Sequence, residues 1–495
     1  MSTAAPTSLV ADRAGANEER WLVGLIIVAI VVRLATLGLY PLMDNTEARY
    51  AEVARQMVVT GDWVTLHHRT GEAFWSKPPL STWLAALSYL VFGVNEFAAR
   101  FASLVPSLGI AWLVYDMAQR RGRRDTALRA TAVLFTTPLF FVSAGAVMTD
   151  AALVFGTTLS MAGFWHAMAR TDRSGRLWGY LFFVGLAIGL LAKGPVGVVL
   201  TLAPAGVWTL WKGGIANVWR RLPWITGTLL TATIAVPWYV LAEMRTPGFI
   251  DYFIVGEHWN RYLVSGWKGD RFGTAHARPR GTIWLYLVAT TLPWCVTWLA
   301  MAIRQRRAQD RVPTAPDDGW HAYLWLWLLT SAVFFTPAGN ILPTYVLPAI
   351  PAFALLVAEA WTAMVDAGRG RASTKYCGVA MPVLMIVAVL FALPRIAPNY
   401  THKGLVADYL ARRTSVEQQL VYFGEPPLSA EFYTGGHVTR VDTAAEVERR
   451  LGHGDFFVIS DFDLTAAPAL KDRLVPIARS GRWQLLQERA AMPSQ

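Results

Sequence analysis

A run from Asp44 to Leu80, DNTEARYAEVARQMVVTGDWVTLHHRTGEAFWSKPPL, sets carboxylates, arginines and a lysine just after an apolar stretch that ends at Leu39. Further along, each near the edge of an apolar run, stand Asp150 in VMTDAAL, Lys193 in LLAKGPVG, Glu257, His258 and Arg261 in GEHWNRY, and Tyr345 in GNILPTYVLP. Carboxylates can remove a proton, and lysine and arginine can hold anionic phosphate oxygens. Taken singly, each residue also has a plainer role. Asp44-x-x-Glu47 has the spacing of a capping box, and Lys77, before two prolines, suits a snorkelling anchor. Asp150 could be a helix cap, Lys193 an interfacial anchor and Tyr345 part of an aromatic belt. Topology decides whether they belong together.

The chain has 495 residues, 54% of them hydrophobic, 22 tryptophans and only 16% charged residues, against roughly 25% in soluble domains. Mean hydropathy is +0.34. This composition predicts an α-helical polytopic membrane protein. The net charge of +11 comes from basic clusters between apolar runs, which is the pattern of cytoplasmic loops and not of a nucleic-acid partner. The clusters are Arg120, Arg121, Arg123, Arg124; Arg170, Arg173, Arg176; Lys212, Arg220, Arg221; Arg304, Arg306, Arg307, Arg311; and Arg369, Arg371, Lys375. If all five lie inside, an even number of crossings separates each from the next.

The apolar runs satisfy that parity: 21–39, 97–118, 127–147, 151–169, 177–193, 196–211, 222–242, 281–303, 321–337, 342–364 and 376–394. Leu80 to Phe92 is about 13 residues, short of the roughly 20 a helix needs to cross, and is expected to lie beside the membrane. About 11 to 13 spans follow. The N-terminal tail, 1–20, is then cytoplasmic; 21–394 forms the membrane domain, with a first periplasmic loop at 41–96 and a large loop at 243–280. Residues 395–495 are expected to form a small periplasmic α/β domain, with strands at QQLVYFG and DFFVIS and a helix at TAAEVERRLG between them. Cys295 and Cys377 both fall in apolar runs, which leaves no disulfide framework.

After Asp44, the positions Tyr50, Val53, Ala54, Met57 and Val58 share one helical face, with Arg49, Glu52, Arg55 and Gln56 opposite. That periodicity predicts an amphipathic helix on the membrane surface. On this topology every conspicuous ionisable group near a span end, outside the basic clusters, maps to the outer face. Ionisable residues at membrane depth are expensive and usually face a cavity. The set therefore reads as one site.

TEARYAE, the following GDW, KPPL, AKGPVG, EHWNRY and LPTYVLP, in that order, resemble the aminoarabinose-transferase (ArnT-like) family and, more distantly, the protein O-mannosyltransferases, both of the integral-membrane GT-C fold. PPLSAEFYTG resembles the periplasmic domain of the former. The resemblance implies transfer of a sugar from a polyprenyl-phosphate donor to a lipid acceptor, lipid A or a related glycolipid, at the periplasmic face of a bacterial inner membrane. It implies an acidic centre of Asp44 or Glu47 with Asp150, and a phosphate site of Lys77, Lys193, Arg261 and Tyr345. Arg49, Tyr50, Glu257 and His258 would support them. Three positions depart from the family pattern: Thr46 where its aspartate precedes the glutamate, Ser76 where an acid often precedes the lysine, and Asn340 where a lysine is common.

The chemistry is consistent with this. A sugar phosphodiester carries a good leaving group, so the reaction needs a base for the acceptor and cations for the departing phosphate. No G-x-G-x-x-G or P-loop precedes a nucleotide fold, which favours a lipid-linked donor. The expectation is a single-displacement, inverting glycosyltransferase with Asp44 or Glu47 as base. No cofactor is required, although His258 leaves room for a divalent metal. A polytopic lipid or solute transporter or flippase is the alternative, disfavoured because the charges gather at one face and do not line a path near the midplane.

Overall fold

The computed structural model describes residues 6–44, 46–69, 71–273, 275–307, 318–368 and 372–489. Arg311, Arg369 and Arg371 of the basic clusters lie outside them. The first helix, α1, runs Pro6–Thr36 and so begins well before the apolar run; much of the expected tail is its N-terminal extension. That extension is anchored by charge, Glu18 to Arg129 at 3.1 Å and Glu19 to Arg124 at 3.0 Å. The first loop contains α2 (Glu47–Thr60) and α3 (Leu80–Phe92), joined by a small hairpin of β1 (His67–Arg69) and β2 (Glu72–Ala73). Gly61, in the left-handed conformation at φ 69°, ends α2.

Six described helices are long and apolar enough to cross a membrane, and seven if one bent pair counts as a single span. Of the expected runs outside that count, two are interrupted helices and one is a short helix, while those at 21–39 and 151–169 correspond to the unbroken helices Pro6–Thr36 and Asp150–Ala169. The run at 127–147 divides into α5 (Arg124–Thr136) and α6 (Pro138–Ser143), because Pro138 has no N–H to continue the ladder. The run at 281–303 breaks at Pro293 into Thr282–Thr291 and Trp294–Arg307, bent by 88°. Trp320–Phe335 has 16 residues. As expected from its length, α3 is a 13-residue helix.

Between α3 and α5, α4 spans Glu96–Gln119. The closest helix packing is between α7 (Asp150–Ala169) and α8 (Arg173–Lys193). A Cβ on Gly156 would stand 2.8 Å from Gly185 O and Gly189 N, and one on Gly163 would stand 2.7 Å from Phe182 N. Small residues thus let the two backbones approach. The helices have nearly equal length and a short connection, so the start of α7 and the end of α8 lie level. This places Asp150 beside Lys193, a carboxylate at a helix N-terminus and a cation at a C-terminus, where each macrodipole favours them.

Beyond the bundle, a five-stranded sheet has the order β4-β3-β5-β7-β6, made of β3 (Leu420–Phe423), β4 (Thr439–Val441), β5 (Phe456–Ser460), β6 (Leu474–Ser480) and β7 (Trp483–Glu488). β4, β3 and β5 are parallel; β7 and β6 add antiparallel. The two expected strands are its β3 and β5, and the expected helix appears as Ala444–Arg449. β4, β6 and β7 were not foreseen.

This domain corrects the reading of α2 as a surface helix with its polar face in water. Glu52, Arg55 and Gln56 on that face are 0%, 5% and 3% exposed. They pair among themselves, Arg55 to both Glu52 oxygens at 2.6 and 2.7 Å and Gln56 to Glu52 at 2.9 Å, beneath the helix Leu428–Thr434. The opposite face, with Val53, Ala54 and Met57, is buried in the membrane domain. Lys403 to Glu96 at 2.5 Å and Arg69 to Glu431 at 2.7 Å close the seam.

The position of α2 is set from below by Arg100 of α4, whose side chain is fully buried. All five of its N–H groups are used: two on Glu47 at 2.7 and 3.0 Å, the others on the carbonyls of Leu37, Tyr40 and Pro41 at 2.7 to 2.9 Å. The guanidinium also lies 3.6 Å from the Tyr40 ring centroid. Removing one partner of a buried pair strands the other charge, at a cost of about 3 to 5 kcal/mol. Glu47→Gln is therefore expected to lower the melting temperature of the detergent-solubilised full-length protein markedly, whereas an unchanged melting curve would deny Arg100 this anchoring role.

Candidate active site

Where α2, the Lys77 loop, the start of α7, the end of α8 and the segment after Pro247 meet, they enclose a cavity of about 1230 Å³. Part of the lining is apolar, with Leu153, Val196, Val199, Leu200 and Phe334; it also carries four carboxylates, Asp44, Asp150, Glu257 and Asp270, and four cations, Arg49, Lys77, Lys193 and Arg261. Tyr50, His258 and Tyr345 also line it. Of the residues singled out in the sequence, only Glu47 is missing from its wall. Its oxygens are held by Arg100 and by the Val147 amide at 3.2 Å.

Asp44 does not form the expected capping box. Thr46 occupies the N-cap position of α2 and makes no side-chain cap. Asp44 instead accepts from Ser429 of the C-terminal domain, from its N–H at 2.7 Å and its hydroxyl at 2.8 Å. Burial pushes the Asp44 carboxyl up to about 6, with the Ser429 hydrogen bonds opposing the rise. A carboxyl tuned to that value is ionised at neutral pH yet keeps a useful affinity for a proton.

The prolines after Lys77 fix the loop so that its ammonium points inward. It donates to Ser76 O at 2.7 Å, Ser76 Oγ at 3.0 Å and Glu257 at 3.0 Å. Burial disfavours both charges of this pair, but their mutual attraction outweighs it: Lys77 is raised above its ordinary value and Glu257 is lowered to about 2 by Lys77 and Arg261. Ser76, which stands where the family often has an acid, instead hydrogen-bonds Glu257 at 3.2 Å. Glu257 and Arg261 lie on and just after a π-helix, Asp251–Asn260, a distortion that recurs at functional sites. Arg261 bridges Glu257 at 3.1 Å and Asp270 at 3.0 Å.

Lys193, also in the lining, donates to Asp150 at 2.7 Å and lies 5.0 Å from the Tyr345 ring centroid. The Nε atoms of Arg49 and Arg261 are both buried without a hydrogen-bond partner among the described residues. His258 turns both ring nitrogens to backbone carbonyls, Phe253 O at 2.7 Å and Lys193 O at 3.1 Å. Neither nitrogen is offered to a metal, and among the described residues no three His, Cys, Asp or Glu side chains are grouped to hold one.

The sequence reading missed Asp270, His276 and Ser429. Asp270 sits in the polar run GWKGDRFG, and only its ion pair with Arg261 at 3.0 Å gives it meaning. Asn340, the departure from a common lysine, is 4% exposed and staples the loop. Its amide donates to Arg261 O and Val264 O, both at 2.6 Å, and accepts from Gly266 N at 2.9 Å. A lysine could donate but could not accept.

Residues 21–253 match the family described as dolichyl-phosphate-mannose-protein mannosyltransferase. The chain is 29% identical over 381 residues to the undecaprenyl phosphate-alpha-4-amino-4-deoxy-L-arabinose arabinosyl transferase 1 of Pseudomonas fluorescens (strain Pf0-1), covering 76% of this chain and 63% of that one. It is 29% identical over 355 residues to the corresponding transferase of Pseudomonas aeruginosa (strain PAO1), covering 69% and 60%. The chain thus spans less than two thirds of the length of these relatives. In three dimensions it is similar to ArnT from Cupriavidus metallidurans bound to undecaprenyl phosphate, with a TM-score of 0.74 and 22% identity over 96% of this chain and 99% of that one. Likeness of fold over nearly the whole chain and of sequence over 381 residues agree with the motif order, and the chain has the GT-C fold of that ArnT.

Proposed function

We propose that this protein is an inverting glycosyltransferase that moves a sugar from a polyprenyl-phosphate donor to a lipid acceptor at the periplasmic face of the inner membrane. The observation that carries the proposal is the shared cavity: a carboxylate tuned to about 6 and paired lysine and arginine side chains face one space whose lining is also partly apolar. The relatives named above are arabinosyl transferases using undecaprenyl phosphate, and the similar fold is one seen with undecaprenyl phosphate bound. The acceptor is proposed as a lipid A or related glycolipid hydroxyl or phosphate.

In the proposed reaction Asp44 takes the acceptor proton as the acceptor oxygen attacks the anomeric carbon. The bond from that carbon to the phosphate oxygen breaks, and the electron pair leaves with the polyprenyl phosphate. Lys77 and Arg261 meet the charge that develops on the phosphate, with Lys193 and Tyr345 in the same lining. Glu257 and Asp150 hold these cations in place until the phosphate arrives. The apolar part of the lining suits the first isoprene units. One displacement from the face opposite the phosphate inverts the anomeric configuration. Mass spectrometry of outer-membrane glycolipids with and without the protein tests the assignment: a sugar mass that disappears names donor and acceptor, and unchanged glycolipids would overturn it.

Asp44→Asn is expected to abolish transfer in purified protein while the melting temperature stays within a few degrees; full transfer by that variant would move the base elsewhere. Because Asp44 must be ionised to act, kcat/KM should rise with pH up to a bend near pH 6, falling about tenfold for each unit below it. A flat profile between pH 5 and 8 would contradict this. Lys77→Ala and Arg261→Ala should each lower kcat by roughly 100-fold or more, the scale of losing one donor to a developing oxyanion. A change confined to KM would place them in ground-state binding alone.

A further inference from the structure

We propose that the C-terminal domain contributes a positioning residue to the transfer reaction: Ser429, whose hydroxyl and backbone N–H together fix the Asp44 carboxylate. The proposal rests on the reading of Asp44 as base and goes beyond it by making the soluble domain part of the site.

The hydrogen bonds define the direction of each proton. The backbone N–H of His402 donates to Ser429 Oγ at 2.9 Å, so the hydroxyl's own hydrogen is free to point to Asp44 Oδ2, 2.8 Å away. The Ser429 N–H donates to Asp44 Oδ1 at 2.7 Å. Asp44 N in turn donates to Tyr400 O at 2.8 Å. Ser429 is fully buried, and the helix it belongs to starts at Leu428 after a proline that provides no side-chain cap. The Asp44 carboxylate supplies that cap from another domain. Both of its oxygens are thereby oriented, leaving their remaining lone pairs for the cavity that Asp44 lines.

Hydrogen bonds to the charged form of a carboxyl favour ionisation, so Ser429 works against the burial that raises Asp44. The other titratable groups around it are accounted for. Tyr422, from β3, is held well above its ordinary range by burial, and His402, 3.0 Å from the Tyr422 hydroxyl, is lowered to about 4 by burial and then by Arg482. Both stay neutral from pH 5 to 8. Glu431, two residues after Ser429, is raised to about 7 by burial and rests on Arg69. Arg49 and Lys77 line the same cavity, and Lys77 is raised above its ordinary value because its attraction to Glu257 outweighs its burial.

The test is the pH dependence of kcat/KM of the full-length protein with a polyprenyl-phosphate sugar donor. Ser429→Ala should move the rising limb up by about one pH unit, a roughly fivefold loss at pH 6 that approaches tenfold at about pH 5 and largely recovers by about pH 8.5. Ser429→Thr, which keeps the hydroxyl, should return the limb toward the wild-type position. Glu431→Gln should leave the limb in place. A Ser429→Ala profile that is unchanged, or a loss equal at every pH, overturns the proposal. Asp44→Asn run alongside separates the two ideas: activity retained there overturns the base assignment and this proposal with it, whereas activity lost there with an unmoved Ser429→Ala limb overturns only the role of Ser429.

Discussion

One guanidinium fixes the geometry on which the rest of this molecule is built. Arg100 is fully buried and uses every N–H it has, three of them on carbonyls at the end of α1 and the corner that follows, and two on Glu47 at the start of α2. A charge taken out of water this completely is tolerated only when each hydrogen is matched. The chain between Leu37 and Glu47 therefore has little freedom. Asp44 lies inside that stretch, so the same contacts that neutralise Arg100 determine where the carboxylate of the cavity emerges.

The second constraint comes from above. α2 has an apolar face and a charged one, and the structure buries both. A helix buried on two sides is held in rotation as well as in position. The charged face is covered by a domain that begins more than 300 residues later in the chain, and this domain closes on the first loop through Arg69, Glu96 and Asp44. The helical bundle and the C-terminal domain are thus coupled at the site itself.

Much of this was legible in the sequence because the residues announce themselves locally. Lys77 precedes two prolines, and Asp150 and Lys193 sit at the ends of helices whose lengths bring them level. Asp44, Lys77, Asp150, Lys193, Glu257, Arg261 and Tyr345, expected to converge, all line one cavity. What could not be read was pairing at long range. Capping-box spacing at Asp44 and Glu47 is a local pattern, yet Glu47 is claimed by Arg100 and Asp44 by Ser429, both partners set by tertiary packing. The polar face of α2 looked solvated because periodicity reports two faces and not what covers them. The apolar runs that break at Pro138 and Pro293 looked continuous to hydropathy, which does not register a missing N–H. Three strands of the terminal sheet were missed because Thr439–Val441 is short, and β6 and β7 carry charged and polar residues among their apolar ones.

The cavity's formal charges cancel, four against four, and three of its four cations are already bonded to carboxylates on the same walls. On the proposed reading an incoming phosphodiester joins an exchange: it must take Lys77 or Arg261 from Glu257. Binding is weaker than an uncompensated cationic pocket would give, and the benefit appears after the bond is broken. The leaving lipid is a phosphate monoester with more negative charge than the donor, and a bare cluster of cations would retain it. Carboxylates tethered within about 3 Å compete for the same cations at high effective concentration. The acids that seem to spoil the phosphate site are, in this light, what lets the spent carrier leave and the next turnover begin.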